Sequence, residues 1–188
     1  MNKPLIVLFV GIPGSGKTTF ARQIAQRLNA VILSSDGARI SMWKTREAIE
    51  ASHKTPEERL YTNQLTFGAL NYATRQIVKA GYNVLFDANA NSRSERQEKY
   101  DIAKEFDGNA VVVRMRVPYE VSLRRVQERE PLDDQRQFDA EKAVGILERF
   151  MKDIEEPSSD ENTIYIDGEA PFEEQYQQFI QSYENYFS

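Results

Sequence analysis

Between the apolar run Leu5-Ile6-Val7-Leu8-Phe9-Val10 and the segment Thr18 to Leu28 stands Gly11-Ile12-Pro13-Gly14-Ser15-Gly16-Lys17-Thr18, a complete G-x-x-x-x-G-K-[ST] string. Such a loop dictates its own flanks, because it must leave a buried strand and open a helix. The run before it is β-rich, and after it Phe20, Ile24 and Leu28 recur every four residues, the spacing of one buried helix face. The glycines let backbone N–H groups turn inward around a phosphate, Lys17 reaches the β and γ phosphates, and the Thr18 hydroxyl holds Mg²⁺. Gly11, Ile12, Pro13, Gly14, Ser15, Gly16, Lys17, Thr18 and Thr19 are therefore expected around a nucleoside triphosphate.

The rest of the chain alternates in the same way. Ala30 to Leu33 reads as a second buried strand ending at Ser34-Ser35-Asp36, and residues 37–55 form a more polar segment. Thr55 as N-cap with Pro56 in the first turn starts a long helix to about Lys79, stopped by Gly81. Tyr61, Leu65, Ala69, Tyr72 and Gln76 lie along one side of it and Leu60, Phe67, Leu70 and Ile77 along another, so packing on more than one face is expected. A third strand, Tyr82 to Phe86, closes on Asp87. Ser92 or Ser94 caps a helix to Phe106, and Ala110 to Val117 makes a fourth strand. A helical stretch from Pro118 to Glu130 is broken by Pro131. Ala143, Leu147, Phe150, Met151 and Ile154 mark a further amphipathic helix, and a strand at Thr163 to Ile166 and a helix from about Pro171 follow. Strands alternating with helices predict an α/β fold, a parallel sheet covered on both faces.

With 188 residues, 40% of them hydrophobic and 28% charged, the chain suits one domain spanning 1–188. No apolar run is long enough to span a bilayer, and Met1-Asn2-Lys3-Pro4 leads into a strand without a signal-peptide pattern, so a cytoplasmic protein with no membrane partner is expected. The lack of Cys excludes disulfides and thiolate metal sites, and His53 is the only histidine, so Mg²⁺ arriving with the nucleotide is the metal expected. The formal net charge of −5 offers no overall footprint for long nucleic acid. Arg114, Arg116, Arg124, Arg125 and Arg129 cluster locally, and beside a triphosphate they are expected to serve phosphates.

Asp36 is placed at the C-terminal edge of the sheet, where ligands of open α/β folds bind. Arg39 follows three residues later. On a helix starting there the two share one side of the first turn, as a carboxylate to accept a hydroxyl proton and a guanidinium to orient the acceptor. The alternative is a helix cap with a surface ion pair. Asp87 at a strand end holds a position suited to Mg²⁺, directly or through water, or is a turn residue. Asp167 ends another strand. Arg125 and Arg129, four apart before the Pro131 break, suit a mobile lid at about 125–138 that closes on transferring phosphate, or a solvated face paired with Glu128 and Glu130. Met42, Trp43, Tyr61 and Tyr72 are acceptor-pocket or core residues, and His53 reads as a surface histidine.

Gly-Ile-Pro-Gly-Ser-Gly-Lys-Thr-Thr at 11–19, Ser-Ser-Asp-Gly-Ala-Arg at 34–39, Phe-Asp-Ala-Asn at 86–89, the pair Arg125 and Arg129, and Ile-Asp-Gly at 166–168 together resemble the ATP-dependent P-loop kinases of the polynucleotide 5′-hydroxyl kinase type, with zeta-toxin-like small kinases nearby. The resemblance implies a three-layer P-loop NTPase fold, a five-stranded parallel sheet of order 2-3-1-4-5 and a short arginine-bearing lid. It implies Asp36 as general base, Arg39 on the acceptor, and Arg129 on the ATP phosphates, with Lys17 completing the catalytic set and Arg125 beside the nucleotide. Thr18 and Asp87 are the expected metal residues. The acceptor, built from about residues 37–75, is then a nucleic-acid 5′ end or a small metabolite such as a nucleoside, sugar acid or antibiotic. No obligate protein partner is expected. Where such kinases typically carry Asp-x-Thr-Asn, this chain has Asp87-Ala88-Asn89-Ala90. A nucleotide-dependent switch is the competing class, but no guanine-reading Asn-Lys-x-Asp string occurs, and Ala88 stands where motor-type ATPases place a water-activating glutamate.

Overall fold

The computed structural model describes residues 3–130 and 140–187. Five parallel strands, β1 (Leu5–Val10), β2 (Ala30–Ser34), β3 (Asn83–Asn89), β4 (Asn109–Arg116) and β5 (Thr163–Asp167), lie in the order β2-β3-β1-β4-β5. This is the order expected, and it puts the strand before the glycine loop at the centre. Every residue of β1 is buried, as a strand covered on both faces must be.

Alternate β1 side chains feed two cores. Leu5, Val7 and Phe9 meet Phe20, Ala21 and Ile24 of α1 (Lys17–Arg27) and Phe179 of α8 (Phe172–Phe187). Ile6, Leu8 and Val10 meet Leu70 and Val78 of α4 (Pro56–Lys79) and Ile102 and Ala103 of α5 (Arg93–Glu105). Each fully buried aliphatic side chain contributes roughly 1.5–3 kcal/mol, so this three-layer sandwich fixes β1 and the loop that leaves it. Among the described residues no helix is long and apolar enough to cross a membrane.

Several local expectations need correction. The polar segment 37–55 is largely helical: α2 (Ser35–Trp43) and α3 (Arg46–Ala51) occupy it. Ser34, not Asp36, caps α2, its hydroxyl accepting from the Gly37 N–H at 3.2 Å, so Asp36 sits inside the first turn and its carboxylate is not used as a cap. Between α5's two candidate caps, Ser92 is the one used, in a reciprocal box with Glu95.

Of the two expected sides of the long helix α4, Phe67, Leu70 and Ile77 do pack against the core, but the fully buried line runs elsewhere. Its buried line is Thr62, Thr66, Leu70, Thr74 and Val78, while Leu60, Tyr61, Leu65 and Tyr72 are exposed. Threonines can be buried here because their hydroxyls are satisfied: Thr66 and Thr74 donate to the carbonyls of Thr62 and Leu70 at 2.8 Å each, and Thr62 donates to Ser52 O at 2.9 Å. Strand β3 does not end at Asp87 but runs on to Asn89. Leu8 pairs with Phe86 and Phe9 with Asn89, so Asp87 and Ala88 form a bulge opposite one step of β1. Such bulges re-aim side chains at the rim of a sheet.

The helix carrying the arginines, α6 (Tyr119–Gln127), stops before Glu130, so Arg129 lies beyond it and does not share a helix face with Arg125. Residues 131–138 of the expected lid lie outside the described residues. A short 3-10 turn, Ala140–Lys142, leads into α7 (Ala143–Asp153).

Candidate active site

A cleft of about 1120 Å³ opens at the C-terminal ends of the strands. Its floor is the glycine loop. Gly14 and Gly16 adopt φ of +81° and +98°, and a Cβ on Gly14 would come within 2.6 Å of the Ser122 carbonyl oxygen on α6, so no side chain fits there. No side chain caps the start of α1, which leaves its first N–H groups to an anion. Pro13, Gly14, Gly16, Lys17, Thr18 and Thr19 line the cleft. Gly11, Ile12 and Ser15 are buried beneath it, Ser15 with a hydroxyl that has no partner.

Lys17 folds back onto the loop, donating to Gly11 O at 2.8 Å and Ile12 O at 2.9 Å. Burial lowers its ammonium to about 8; Asp87 and Asp36 oppose that shift, and Arg114 and Arg129 add to it. The Thr18 hydroxyl donates to Asp87 Oδ1 at 3.1 Å. Burial raises the Asp87 carboxyl above the ordinary aspartate range, against the Thr18 hydrogen bond and the Lys17 charge. Thr18 and Asp87 thus place two hard oxygen donors together beside the glycine loop, a set that fits Mg²⁺.

Beside them, past the end of the neighbouring strand β2, where Ser34 pairs with Asp87, Asp36 and Arg39 share the first turn of α2, with Nη1 and Oδ1 3.6 Å apart. Arg39 is buried and donates to Asn63 Oδ1 at 3.0 Å, its guanidinium 5.7 Å from the centre of the Phe67 ring. Both line the cleft, and the Asp36 side chain keeps 33% of its surface exposed against 11% for Arg39, so the carboxylate is the more open of the two. A surface ion pair does not describe this arrangement.

The arginine cluster divides. Arg125 and Arg129 line the cleft; Arg114, Arg116 and Arg124 do not. Arg114 is taken up by Glu156, and Arg116 lies over the Tyr165 ring at 3.9 Å. Arg125 is tied down, donating to Gly14 O at 3.3 Å and Gly168 O at 3.0 Å, which joins α6 to the glycine loop and to the turn after β5. Asp167 accepts from the Glu169 N–H at 2.9 Å and serves that turn.

Met42, Trp43, Tyr61 and Tyr72 do not line the cleft, but His53 does, with Glu50, Arg59 and Asn63. The His53 ring is held by Nδ1 to Ile49 O at 2.7 Å, on the turn between α3 and α4. The readable signal for this wall was the spacing of Arg59, Asn63 and Phe67, one face of α4 at four-residue steps. Asn91, also at the cleft, accepts from Gly11 N at 3.4 Å through its side-chain oxygen.

Known proteins share this architecture. A sugar kinase from Janibacter sp. HTCC2649 superposes with a TM-score of 0.65 at 20% identity, over 98% of this chain and 95% of that one. The APS kinase CysC of Mycobacterium tuberculosis, solved with AMPPNP and APS, gives 0.64 at 16% identity, over 98% and 99%. The L-seryl-tRNA(Sec) kinase of Methanococcus maripaludis is 24% identical over 130 residues, 66% of this chain and 46% of that protein, so the chain spans about half the length of that relative. Residues 6–157 match the family model described as an AAA domain, and with the loop, the sheet order and the P-loop kinase fold already in place, the chain belongs to that AAA domain family.

Proposed function

We propose that this chain is an ATP-dependent phosphotransferase that moves the γ-phosphoryl group of ATP to a hydroxyl acceptor. The observation that carries the reading is the gathering in one cleft of a partly exposed carboxylate, Asp36, and its guanidinium partner Arg39 with Lys17, Thr18 and Asp87. Asp36 accepts the proton of the acceptor hydroxyl, the acceptor oxygen bonds to the γ-phosphorus, and the bond from that phosphorus to the β,γ-bridging oxygen breaks, releasing ADP. Arg39, fixed by Asn63 and Phe67, orients the acceptor oxygen. Lys17 and Arg129 balance charge on the phosphates, and Arg125 holds the loop that cradles them. Thr18 and Asp87 would hold Mg²⁺, which supplies neutralisation of phosphate charge when bound. The expected lid, about 125–138, belongs to this proposal through Arg125 and Arg129, as does the treatment of 1–188 as one catalytic domain in the cytoplasm.

The acceptor suggested by the sequence resemblance is a nucleic-acid 5′-hydroxyl. A small-molecule alcohol is the second reading, favoured by the net charge of −5, which gives a long polyanion no general attraction. Transfer of labelled γ-phosphate to 5′-hydroxyl oligonucleotides and to a panel of metabolite alcohols separates the two. Asp36→Asn should lower transfer by about 10²–10⁴ while nucleotide affinity is retained. Full activity in that variant, or no transfer to any hydroxyl, refutes the assignment.

A further inference from the structure

A second, smaller pocket of about 200 Å³ lies between α4 and α5, walled by Phe67, Phe86 and Ala90, with Gln64, Glu98 and Lys99 at its edge. It adjoins the main cleft: Asn63, Phe67 and Glu95 line both. Its volume exceeds the roughly 150 Å³ of an apolar cavity known to take up benzene, so one six-membered ring fits. Arg39 pairs with Asp36 at 3.6 Å, donates to Asn63 and lies over the Phe67 ring. The contacts from Asp36 through Arg39 to Phe67 thus run from the catalytic carboxylate to a residue that walls the pocket.

The walls sort ligands. The partly exposed Phe67 offers ring surface, backed by the buried Phe86 ring at 6.5 Å between centroids. Phe86 and Ala90 are buried, so hydroxyls of a polyol lodged against them would lose water without gaining partners. Lys99 adds one polar group: its Nζ lies 4.5 Å from the Phe86 ring centre and bonds Glu98 at 3.1 Å, and an ammonium has three donors. Burial lowers the Lys99 ammonium below the ordinary lysine value, against the neighbouring Glu98 charge.

We infer that this pocket receives an aromatic ring of the acceptor, so that the substrate class is an alcohol carrying a flat ring a short chain away from its hydroxyl, in place of a polyhydroxylated sugar or sugar acid. The inference rests on the phosphotransferase reading for its turnover test but not for its binding test. In the first, γ-phosphate transfer is compared between ring-bearing alcohols (a nucleoside, 3-phenylpropanol) and ring-free ones (gluconate, glycerol). The expected kcat/KM ratio favours the ring by about tenfold to hundredfold, and Phe67→Leu and Lys99→Met each reduce that ratio. Equal kcat/KM for the two groups, or a ratio untouched by both variants, overturns the pocket and leaves the phosphotransferase intact. In the second, saturation-transfer NMR on the whole protein with the same alcohols reads contact at the ring protons without any chemistry. Signal on ring protons that falls in Phe67→Leu supports the pocket even where transfer is absent and the phosphotransferase reading fails; no ring signal in the wild-type protein overturns it. Both variants keep side-chain bulk, and unchanged far-UV circular dichroism checks that each is folded.

Discussion

The ion pair between Arg96 of α5 and Glu161 is buried on both sides, and its loss should be the largest single-residue destabilisation outside the apolar core. Arg96 is fully buried; its Nε donates to Glu161 Oε1 at 2.5 Å and its Nη2 to Oε2 at 3.1 Å, while Nη1 donates to the carbonyls of Ala90 and Asn91 at 3.1 and 3.0 Å. Arg96→Met therefore leaves a buried carboxylate and two backbone acceptors without this partner. Breaking a buried pair from one side costs about 3–5 kcal/mol, against a total stability of roughly 5–15 kcal/mol, which for a chain of this size lowers Tm by about 10 °C. The deficit has a predictable pH dependence. Burial alone pushes the Glu161 carboxyl up, but Arg96 and the Ser158 N–H, which donates at 3.0 Å, hold it below the ordinary glutamate value. In the wild type the pair's contribution is complete above the unfolded value of about 4.3 and fades as pH falls through the lower folded value. In the variant, burial prevails and the carboxyl takes up a proton at higher pH, which relieves the cost. Urea denaturation at pH 7 and pH 4.5 should give a large difference at the first and a smaller one at the second, and Arg96→Met with Glu161→Gln should recover part of the loss. A difference under about 1 kcal/mol at pH 7, or one that grows on acidification, would refute the reasoning.

Gly14→Ala forces a Cβ into the left-handed region at about 1–2 kcal/mol and drives it against the Ser122 carbonyl of α6, so thermal stability should fall and the stabilisation conferred by added ATP should disappear; an unchanged ATP-dependent rise in Tm would contradict this. Arg125→Met removes the bonds to Gly14 O and Gly168 O, and amide hydrogen exchange should accelerate in residues 12–16 and 168–170 together. Acceleration in only one of the two segments would show that Arg125 does not join them.

The donor half of the cleft was legible because it is local. Eight consecutive residues specify the loop, and the strand and helix on either side are demanded by it, so Lys17 and Thr18 fall where the string places them. Asp36 and Arg39 were legible as a pair for the same reason, three residues apart on one turn, although the cap belonged to Ser34. The meeting of Thr18 with Asp87 depends on a bulge, and a bulge is a register between β1 and β3 that neither strand's sequence states. The arginines misled because nearness in the chain is not nearness in space: Arg114 and Arg116 leave β4 toward Glu156 and Tyr165, while Arg125 turns to the loop.

The acceptor wall was illegible for a sharper reason, the rotation of α4. Reading by apolarity assigns Tyr61, Leu65 and Tyr72 to the interior; in the fold they are exposed, and Thr62, Thr66 and Thr74 are inside. A threonine buried in a helix costs little when its hydroxyl returns a bond to the preceding turn, so its methyl behaves as a small apolar group. Counting those threonines as apolar turns the helix onto the stripe 62, 66, 70, 74, 78. Arg59, Asn63 and Phe67 then fall one step round from it, at the cleft, and Phe67 at the mouth of the side pocket. The face that α4 turns to the cleft is thus set by polar residues whose polarity is spent within their own helix.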